Sequence, residues 1–150
     1  MPLIKLLEDP EVKKGVQWVM KKYQEGDVIV EEGSPGSEMF LIYSGSVDIL
    51  SSTKVTDEQE SQQRIAQLQH GDFFGEMAIF SEDLRSATVV AANECELVMI
   101  DGSTLLNFMD ENPEKGYFIL RHLFEGLVQR MRSNNDRASA IMGFYLREVG

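Results

Sequence analysis

The sequence is poor in several residue types, and each shortage excludes a class of protein. Its one cysteine, Cys95, cannot form an internal disulfide, which excludes a disulfide-stabilised secreted domain and favours a cytoplasmic location. No apolar run is as long as a membrane span or the apolar segment of a secretory signal, so we predict no membrane partner. Basic residues number 14 against 25 acidic ones, and the net charge of -11 opposes attraction to phosphates, so we predict no nucleic-acid partner.

Histidine is equally scarce. His70 and His122 have no metal-ligand or nucleophile pattern beside them in sequence. A turn histidine and a helix-surface histidine are the simpler interpretations. We therefore predict no metal site, no cofactor and no catalytic residue, and we interpret the chain as a protein that is not an enzyme.

Length and hydrophobic patterning indicate the fold class. The 150 residues fit one hydrophobic core, so we predict a single domain over residues 1–150. Alternating apolar residues and glycine-rich turns recur along residues 16–100, which predicts about eight short antiparallel strands in a sandwich or jelly roll. Residues 1–15 favour one short helix, and helical spacing favours C-terminal helices over about residues 103–145.

Local signals set the expected boundaries. The first strand is predicted to begin at Val16. The polar stretch 51–63 separates a strand that ends near Leu50 from one that restarts near Arg64, which predicts an exposed, solvated hairpin tip, with an acidic partner surface as the alternative. Residues 101–104 resemble a helix start, and the Asn-Pro pair at 112–113 ends that helix and begins the next.

The last predicted helix is amphipathic. Apolar residues recur at helical spacing from Phe118 to Met131, which predicts one wide apolar face that must pack on something. After Arg132, further apolar residues either cover the domain's own surface or contact a partner or a second copy, so a homodimer is one interpretation. These later residues are Ile141, Met142, Phe144, Tyr145 and Leu146.

The densest pattern lies in residues 73–91, FFGEMAIFSEDLRSATVVA. Gly75 has no Cβ and so permits a close approach of backbone to a ligand. It opens a turn at residues 76–80 whose first N–H groups can point at an anion. Arg85 offers a planar fork of donors to two phosphate oxygens, and Glu76 can accept a hydrogen bond from a ribose hydroxyl. With small side chains at Ala78 and Ala87, this stretch predicts a cradle for a phosphate and a sugar.

The sequence GEMAI at residues 75–79, followed by RSAT at residues 85–88, resembles the phosphate-binding cassette of cyclic nucleotide-binding domains. This family includes the catabolite activator protein, cAMP-dependent kinase regulatory subunits and cyclic-nucleotide-gated channels. The resemblance extends upstream through residues 23–50 and downstream into the long helix. It implies an antiparallel eight-stranded β-jelly roll, or double-stranded β-helix, and a sensor that binds cAMP or cGMP.

The resemblance also implies a set of ligand-binding residues. In the cassette these are Phe74, Gly75, Glu76, Met77, Ala78, Arg85, Ser86 and Ala87. Ile49, Ile65 and Ala66 would line a slot for the base, and Asn134 and Asn135 on the C-terminal helix would read its edge.

Each assignment has a structural alternative. Arg85 could form only a salt bridge to Glu76, and Ser86 could be an ordinary solvent-facing strand residue. Each base-slot residue could equally be an ordinary core residue. For Ile49 a core position and a contact with the base are equally supported. For the lid, Arg132 or Arg137 could stack on the base instead of the asparagines, and a plain solvated helix face is a further alternative.

In the family, threonine after the cassette arginine is associated with cGMP and alanine or serine more with cAMP, so Ser86 favours cAMP. The implied mechanism is that ligand capture draws the C-terminal helix over the base, which passes the signal to an unknown downstream protein.

The main rival is an interaction module of the same fold that no longer binds nucleotide. An enzyme that hydrolyses cyclic nucleotides is disfavoured, because such hydrolysis commonly uses metal ions held by His/Asp clusters.

Overall fold

The computed structural model describes residues 3–56 and 59–149, with side chains for residues 3–52 and 61–133. The chain divides into two compact units, Met1–Glu111 and Asn112–Gly150. The described strands are β1 (Trp18–Tyr23), β2 (Val28–Val30), β3 (Glu38–Ser44), β4 (Ser46–Thr56), β5 (Gln59–Gln69), β6 (Phe73–Phe74), β7 (Thr88–Ala91) and β8 (Cys95–Asp101). The helices are α1 (Leu3–Leu6), α2 (Pro10–Gly15), α3 (Met77–Phe80), α4 (Gly102–Glu111) and α5 (Pro113–Val149).

The strands form two antiparallel sheets. The first has the order β1-β8-β3-β6 and the second has the order β2-β7-β4-β5. Consecutive strands in the chain repeatedly change sheet, as expected when each strand buries one face against the opposite sheet. The predicted fold class, an antiparallel β-jelly roll with flanking helices, is confirmed.

The core of the first unit draws on both sheets. The rings of Phe40 and Phe74 stack with centroids 4.8 Å apart, and both belong to one buried cluster with residues of the second sheet. Alternation along β3 and β8 explains this, because every second side chain faces inward. Cys95 lies in the same cluster, where burial and the nearby Asp27 carboxylate raise the pKa of its thiol. The cluster is Phe40, Ile42, Val47, Leu68, Phe74, Val89, Ala91, Cys95 and Leu97.

The hairpin of β4 and β5 is longer than predicted. The two strands stay paired from Ser46 with Gln69 to Thr56 with Gln59, so the expected ends near Leu50 and Arg64 were wrong. The sequence does not indicate the extra length, because residues 51–63 are mostly polar and lack the apolar alternation that marks a half-buried strand. Residues 57 and 58, where we predicted the acidic tip, lie outside the described residues.

The N-terminal segment contains two short helices where one was predicted. Asp9 separates them, and its Oδ1 accepts a hydrogen bond of 2.8 Å from the Glu11 N–H, which caps α2 ahead of Pro10. Val16, predicted to begin the first strand, instead closes α2 by donating its N–H to the Val12 carbonyl at 2.8 Å. For this reason β1 begins only at Trp18.

The second unit consists of α5. It begins at Pro113, as predicted, and the Gly116 N–H donates to the Asn112 carbonyl at 2.7 Å in its first turn. The predicted wide apolar face is only partly buried. Leu123 is buried, whereas Leu120, Phe124 and Met131 are exposed. No helix in the described part of the chain combines the length and hydropathy needed to span a membrane.

Asp101 caps α4, and its removal should destabilise the domain. Its Oδ2 accepts hydrogen bonds from the Thr104 N–H at 3.0 Å and the Ser103 hydroxyl at 2.8 Å. We expect Asp101→Ala to lower the free energy of unfolding by about 1 kcal/mol at neutral pH. Asp101→Asn keeps an acceptor and should lose much less. Urea unfolding of the three proteins measures the difference, and equal losses in both variants would contradict the capping role.

The same cap has a defined pH dependence. The Thr104 N–H, followed by the Ser103 hydroxyl, holds the pKa of the Asp101 carboxyl below its ordinary value of 3.8. A lowered folded-state pKa means that the stabilisation is complete above the unfolded-state pKa and is lost as the pH falls through the folded-state pKa. The advantage of the parent over Asp101→Ala should therefore shrink below about pH 4.

Candidate ligand site

The site is built on the connection between β6 and β7. Gly75 follows β6 with φ +79°, a left-handed conformation that favours glycine, and it turns the chain into α3. Glu76 is buried with 5% of its surface exposed. The N–H groups of Ala78 and Ile79 donate to the carbonyls of Gly75 and Glu76 at 3.2 and 3.1 Å. These two donors already have acceptors within the turn, so the predicted role of the first N–H groups in facing an anion does not extend to Ala78 and Ile79.

Arg85 has a buried guanidinium with an acidic neighbour. Its side chain is only 8% exposed, and Nη2 lies 3.3 Å from Oε2 of Glu38 at the start of β3. The alternative interpretation of Arg85 named Glu76 as its salt-bridge partner, but the ion pair is formed with Glu38. Glu38 carries no signal in the sequence, because it lies 47 positions from Arg85 and no local pattern joins them.

Two glycines leave room for the guanidinium of Arg85. A Cβ at Gly36 would lie 2.7 Å from Nε of Arg85, and a Cβ at Gly75 would lie 2.9 Å from Nη1. Any side chain at either position would therefore overlap the guanidinium. Gly36 was interpreted from sequence only as part of a turn, and its contact with Arg85 becomes visible only when the two loops meet.

The backbone of Arg85 is fixed as well. Its N–H donates to the Ser34 carbonyl and its carbonyl accepts from the Gly33 N–H, both at 2.8 Å. The turn before β3 thus pairs with Arg85 through its main chain and contacts the guanidinium through Gly36. These contacts leave Arg85 little freedom to move.

The residues after Arg85 lead into β7. Ser86 is exposed and Ala87 is half-buried. Thr88 is buried, and its hydroxyl oxygen accepts a hydrogen bond of 3.0 Å from the Glu32 N–H. Ser86 is therefore the exposed hydroxyl residue of the two, whereas the hydroxyl of Thr88 is already engaged.

The sheet order brings the predicted base slot close to the cassette. Strand β7 pairs with β4 through Val89 and Ile49, and β4 pairs with β5 through Ile49 and Ala66. The register then shifts, because Leu50 pairs with Arg64, and Ile65 is the extra residue of a β-bulge. Ile49 packs against the core cluster, which supports its interpretation as a core residue, and Ile65 is exposed.

The remaining predicted residues differ in exposure. The ring of Phe74 lies in the core against Phe40, so only its backbone is open to a ligand, and Met77 is exposed. Arg132 on α5 is exposed. The side chains of Asn134, Asn135 and Arg137 lie outside the described residues, and their predicted roles stay predictions.

Each histidine makes a local contact. Nδ1 of His70 contacts the Tyr43 carbonyl oxygen, and the ring of His122 lies 4.5 Å from that of Phe118. Among the residues that the structure describes, no three His, Cys, Asp or Glu side chains are grouped to hold a metal ion.

Comparison with known proteins identifies the family to which the chain belongs. Residues 20–112 match the model of the family described as cyclic nucleotide-binding domain. Human cGMP-dependent protein kinase 2 is 32% identical over 141 residues, covering 92% of this chain and 17% of the kinase. The cAMP-activated global transcriptional regulator CRP of Pasteurella multocida is 28% identical over 136 residues, covering 87% of this chain and 61% of the regulator.

A solved structure of a cyclic nucleotide-binding domain from Methylobacillus flagellatus superimposes with a TM-score of 0.73 at 25% identity, over 80% of this chain and 65% of that one. The chain thus spans 17% of the kinase and 61% of the regulator, in which further sequence lies outside the match.

The packing at Gly75 can be separated from its backbone conformation. Gly75→Ala and Gly71→Ala both place a Cβ on a residue with φ near +80 to +90°, but only at Gly75 does the Cβ meet other atoms, namely Arg85 Nη1 and the Glu38 carbonyl at 2.9 Å. Both variants should lose about 1–2 kcal/mol of stability from strain. Gly75→Ala should lose about 1–3 kcal/mol more from overpacking. Thermal unfolding measures both, and equal losses would contradict the contact.

Proposed function

The chain belongs to the cyclic nucleotide-binding domain family and is a cyclic nucleotide-binding regulatory domain, and we propose that its ligand is cAMP, held by Arg85 and reported by movement of α5. The observation that carries this proposal is the Arg85 side chain, which is 8% exposed and whose guanidinium lies against Gly36 and Gly75. A cation in such a place is poorly solvated by water. An anion that fits the space would therefore stabilise this cation electrostatically.

A cyclic phosphodiester suits these groups. It carries one negative charge, and two of its oxygens match the fork of an arginine. The exposed hydroxyl of Ser86 lies next to Arg85 in sequence and would donate to a phosphate oxygen. The Glu76 carboxylate would accept a hydrogen bond from the ribose hydroxyl, a contact that a ligand without this hydroxyl cannot make.

The choice of cAMP over cGMP depends on Ser86. The names of the relatives do not decide it, because one is a cGMP-dependent kinase and another is a cAMP-activated regulator. Serine after the cassette arginine favours cAMP in this family. Thr88, the nearest threonine, has its hydroxyl engaged by the Glu32 N–H and is buried, which argues against its use for guanine.

Movement of α5 would pass the signal on to a downstream protein. The helix has exposed apolar residues, Leu120, Phe124 and Met131, which give it a surface for a new contact. Closure requires that the ligand bind the closed position of the helix better than the open one. We propose that Asn134 and Asn135 supply this difference by pairing with the adenine edge, with Arg132 or Arg137 stacking on the base as the alternative.

Calorimetric titration with cAMP and cGMP tests the ligand and the role of Arg85. We expect saturable binding that is tighter for cAMP. Arg85→Ala should bind about ten- to a hundredfold more weakly, because a charge-assisted hydrogen bond contributes about 1.5–3 kcal/mol. Arg64→Ala is the matched control, since Arg64 is an exposed arginine that pairs with Asp48 at 3.6 Å.

Binding that is equal in the parent and Arg85→Ala would refute the proposed site. If neither nucleotide binds, by calorimetry or by a rise in the thermal midpoint, the chain is better described as an interaction module of this fold.

Hydrogen exchange tests the movement of α5. With saturating cAMP, amides in residues 123–137 should exchange more slowly, because closure would bury part of the helix. Arg85→Ala at the same cAMP concentration is the control for effects of free nucleotide. Exchange that is unchanged in this segment of the parent, while the cassette becomes protected, would refute the coupling.

A further inference from the structure

The ion pair between Arg85 and Glu38 has the geometry of a weak interaction. Only one carboxylate oxygen takes part, and its distance of 3.3 Å from Nη2 exceeds the 2.7–2.9 Å typical of a strong charge-assisted bond. The same oxygen also accepts the Ser37 N–H at 3.2 Å. The pair therefore balances the charge of Arg85 without engaging its donors fully.

The two side chains differ in their freedom to move. Arg85 is 8% exposed, is fixed by main-chain hydrogen bonds to residues 33 and 34, and lies against Gly36 and Gly75. The side chain of Glu38 is 38% exposed, so part of it already faces water. If one partner leaves, it is Glu38.

We infer that Glu38 is a resident counter-ion, which neutralises Arg85 in the unliganded domain and gives up its contact when an anionic ligand arrives. The inference rests on the proposed function, because it assumes that the phosphate binds at Arg85. It assigns a role in ligand affinity to a residue outside the cassette. Glu38 would neutralise the buried guanidinium of Arg85 in the unliganded domain, and the affinity for the ligand would be lower as a result.

The sign of the effect follows from the charges. A ligand phosphate near Arg85 meets the negative charge of Glu38, and like charges at short range repel. It must also replace an existing contact of the guanidinium rather than fill an empty one. Glu38→Gln removes the charge and keeps a side-chain acceptor of the same shape. It should therefore bind cAMP more tightly than the parent, whereas a residue that merely supported the site would bind more weakly when changed.

The chain offers a close control. Glu96 is 35% exposed, carries one weak surface ion pair to Lys22 at 4.0 Å, and lies on β8 opposite Ser44. Ser44 lies six residue steps along β3 from Glu38, which is about 20 Å along a strand. Glu96→Gln changes the net charge by the same amount at nearly the same exposure. It thus separates a local effect on Arg85 from a general effect of net charge.

The experiment combines binding and stability. Calorimetry with cAMP is done on the parent, Glu38→Gln and Glu96→Gln, and thermal unfolding without nucleotide is done on the parent, Glu38→Gln, Arg85→Ala and the double variant. We expect Glu38→Gln to bind about three- to tenfold more tightly and Glu96→Gln to bind like the parent. Without nucleotide, Glu38→Gln should lower the thermal midpoint by about 1–4 °C, and by less than half of that when Arg85 is already alanine.

The other outcomes overturn specific claims. If the parent binds cAMP and Glu38→Gln binds equally or more weakly, Glu38 is not displaced and the inference is wrong while the proposed function stands. Equal tightening in Glu96→Gln would assign the effect to net charge and also refute the inference. If the parent binds neither cAMP nor cGMP, the proposed function fails and the inference fails with it. The stability measurements then still report whether Glu38 and Arg85 form a pair.

Discussion

The candidate site depends on the burial of one cation, Arg85. An arginine that is 8% exposed loses most of its hydration, and the protein must supply replacement contacts. For the guanidinium it does so with the carboxylate of Glu38, while main-chain hydrogen bonds from the turn at residues 33–34 fix the backbone of Arg85. Gly36 and Gly75 provide the space, because a Cβ at either would overlap the guanidinium. A cation held in this way is positioned before any ligand arrives, so little ordering is left for binding to impose.

The topology explains why such a site can form from distant segments. Strands β3 and β6 are neighbours in the first sheet, so Gly75 at the end of β6 lies beside the start of β3, where Glu38 is found. Strands β7 and β4 are neighbours in the second sheet, so the residues after Arg85 run beside the hairpin of β4 and β5. The cassette thus lies between the start of β3, which carries Glu38, and β7, which pairs with the β4–β5 hairpin.

The residues that could be predicted from the sequence were those whose signal is local. Gly75 and Arg85 stand ten positions apart in one segment with an ordered pattern, and the boundary at Pro113 follows from backbone chemistry alone. Gly36 and Glu38 could not be predicted, because their contacts with Arg85 depend on how two loops meet. The outer part of the β4–β5 hairpin was missed because its sequence is mostly polar and lacks apolar alternation. The exposure of Phe124 on α5 was missed because periodicity does not tell which residues of an apolar face are buried.

The central claim is that Arg85 holds the charged part of a cyclic nucleotide. Side-chain NMR of the arginine Nε–Hε groups during a titration with cAMP tests it most directly, with the Arg85 signal assigned by its loss in Arg85→Lys. The account predicts a large, saturable shift of that signal, with the exposed Arg64 signal unchanged. Saturable binding of cAMP that leaves the Arg85 signal where it was would contradict the account, because the phosphate would then lie elsewhere.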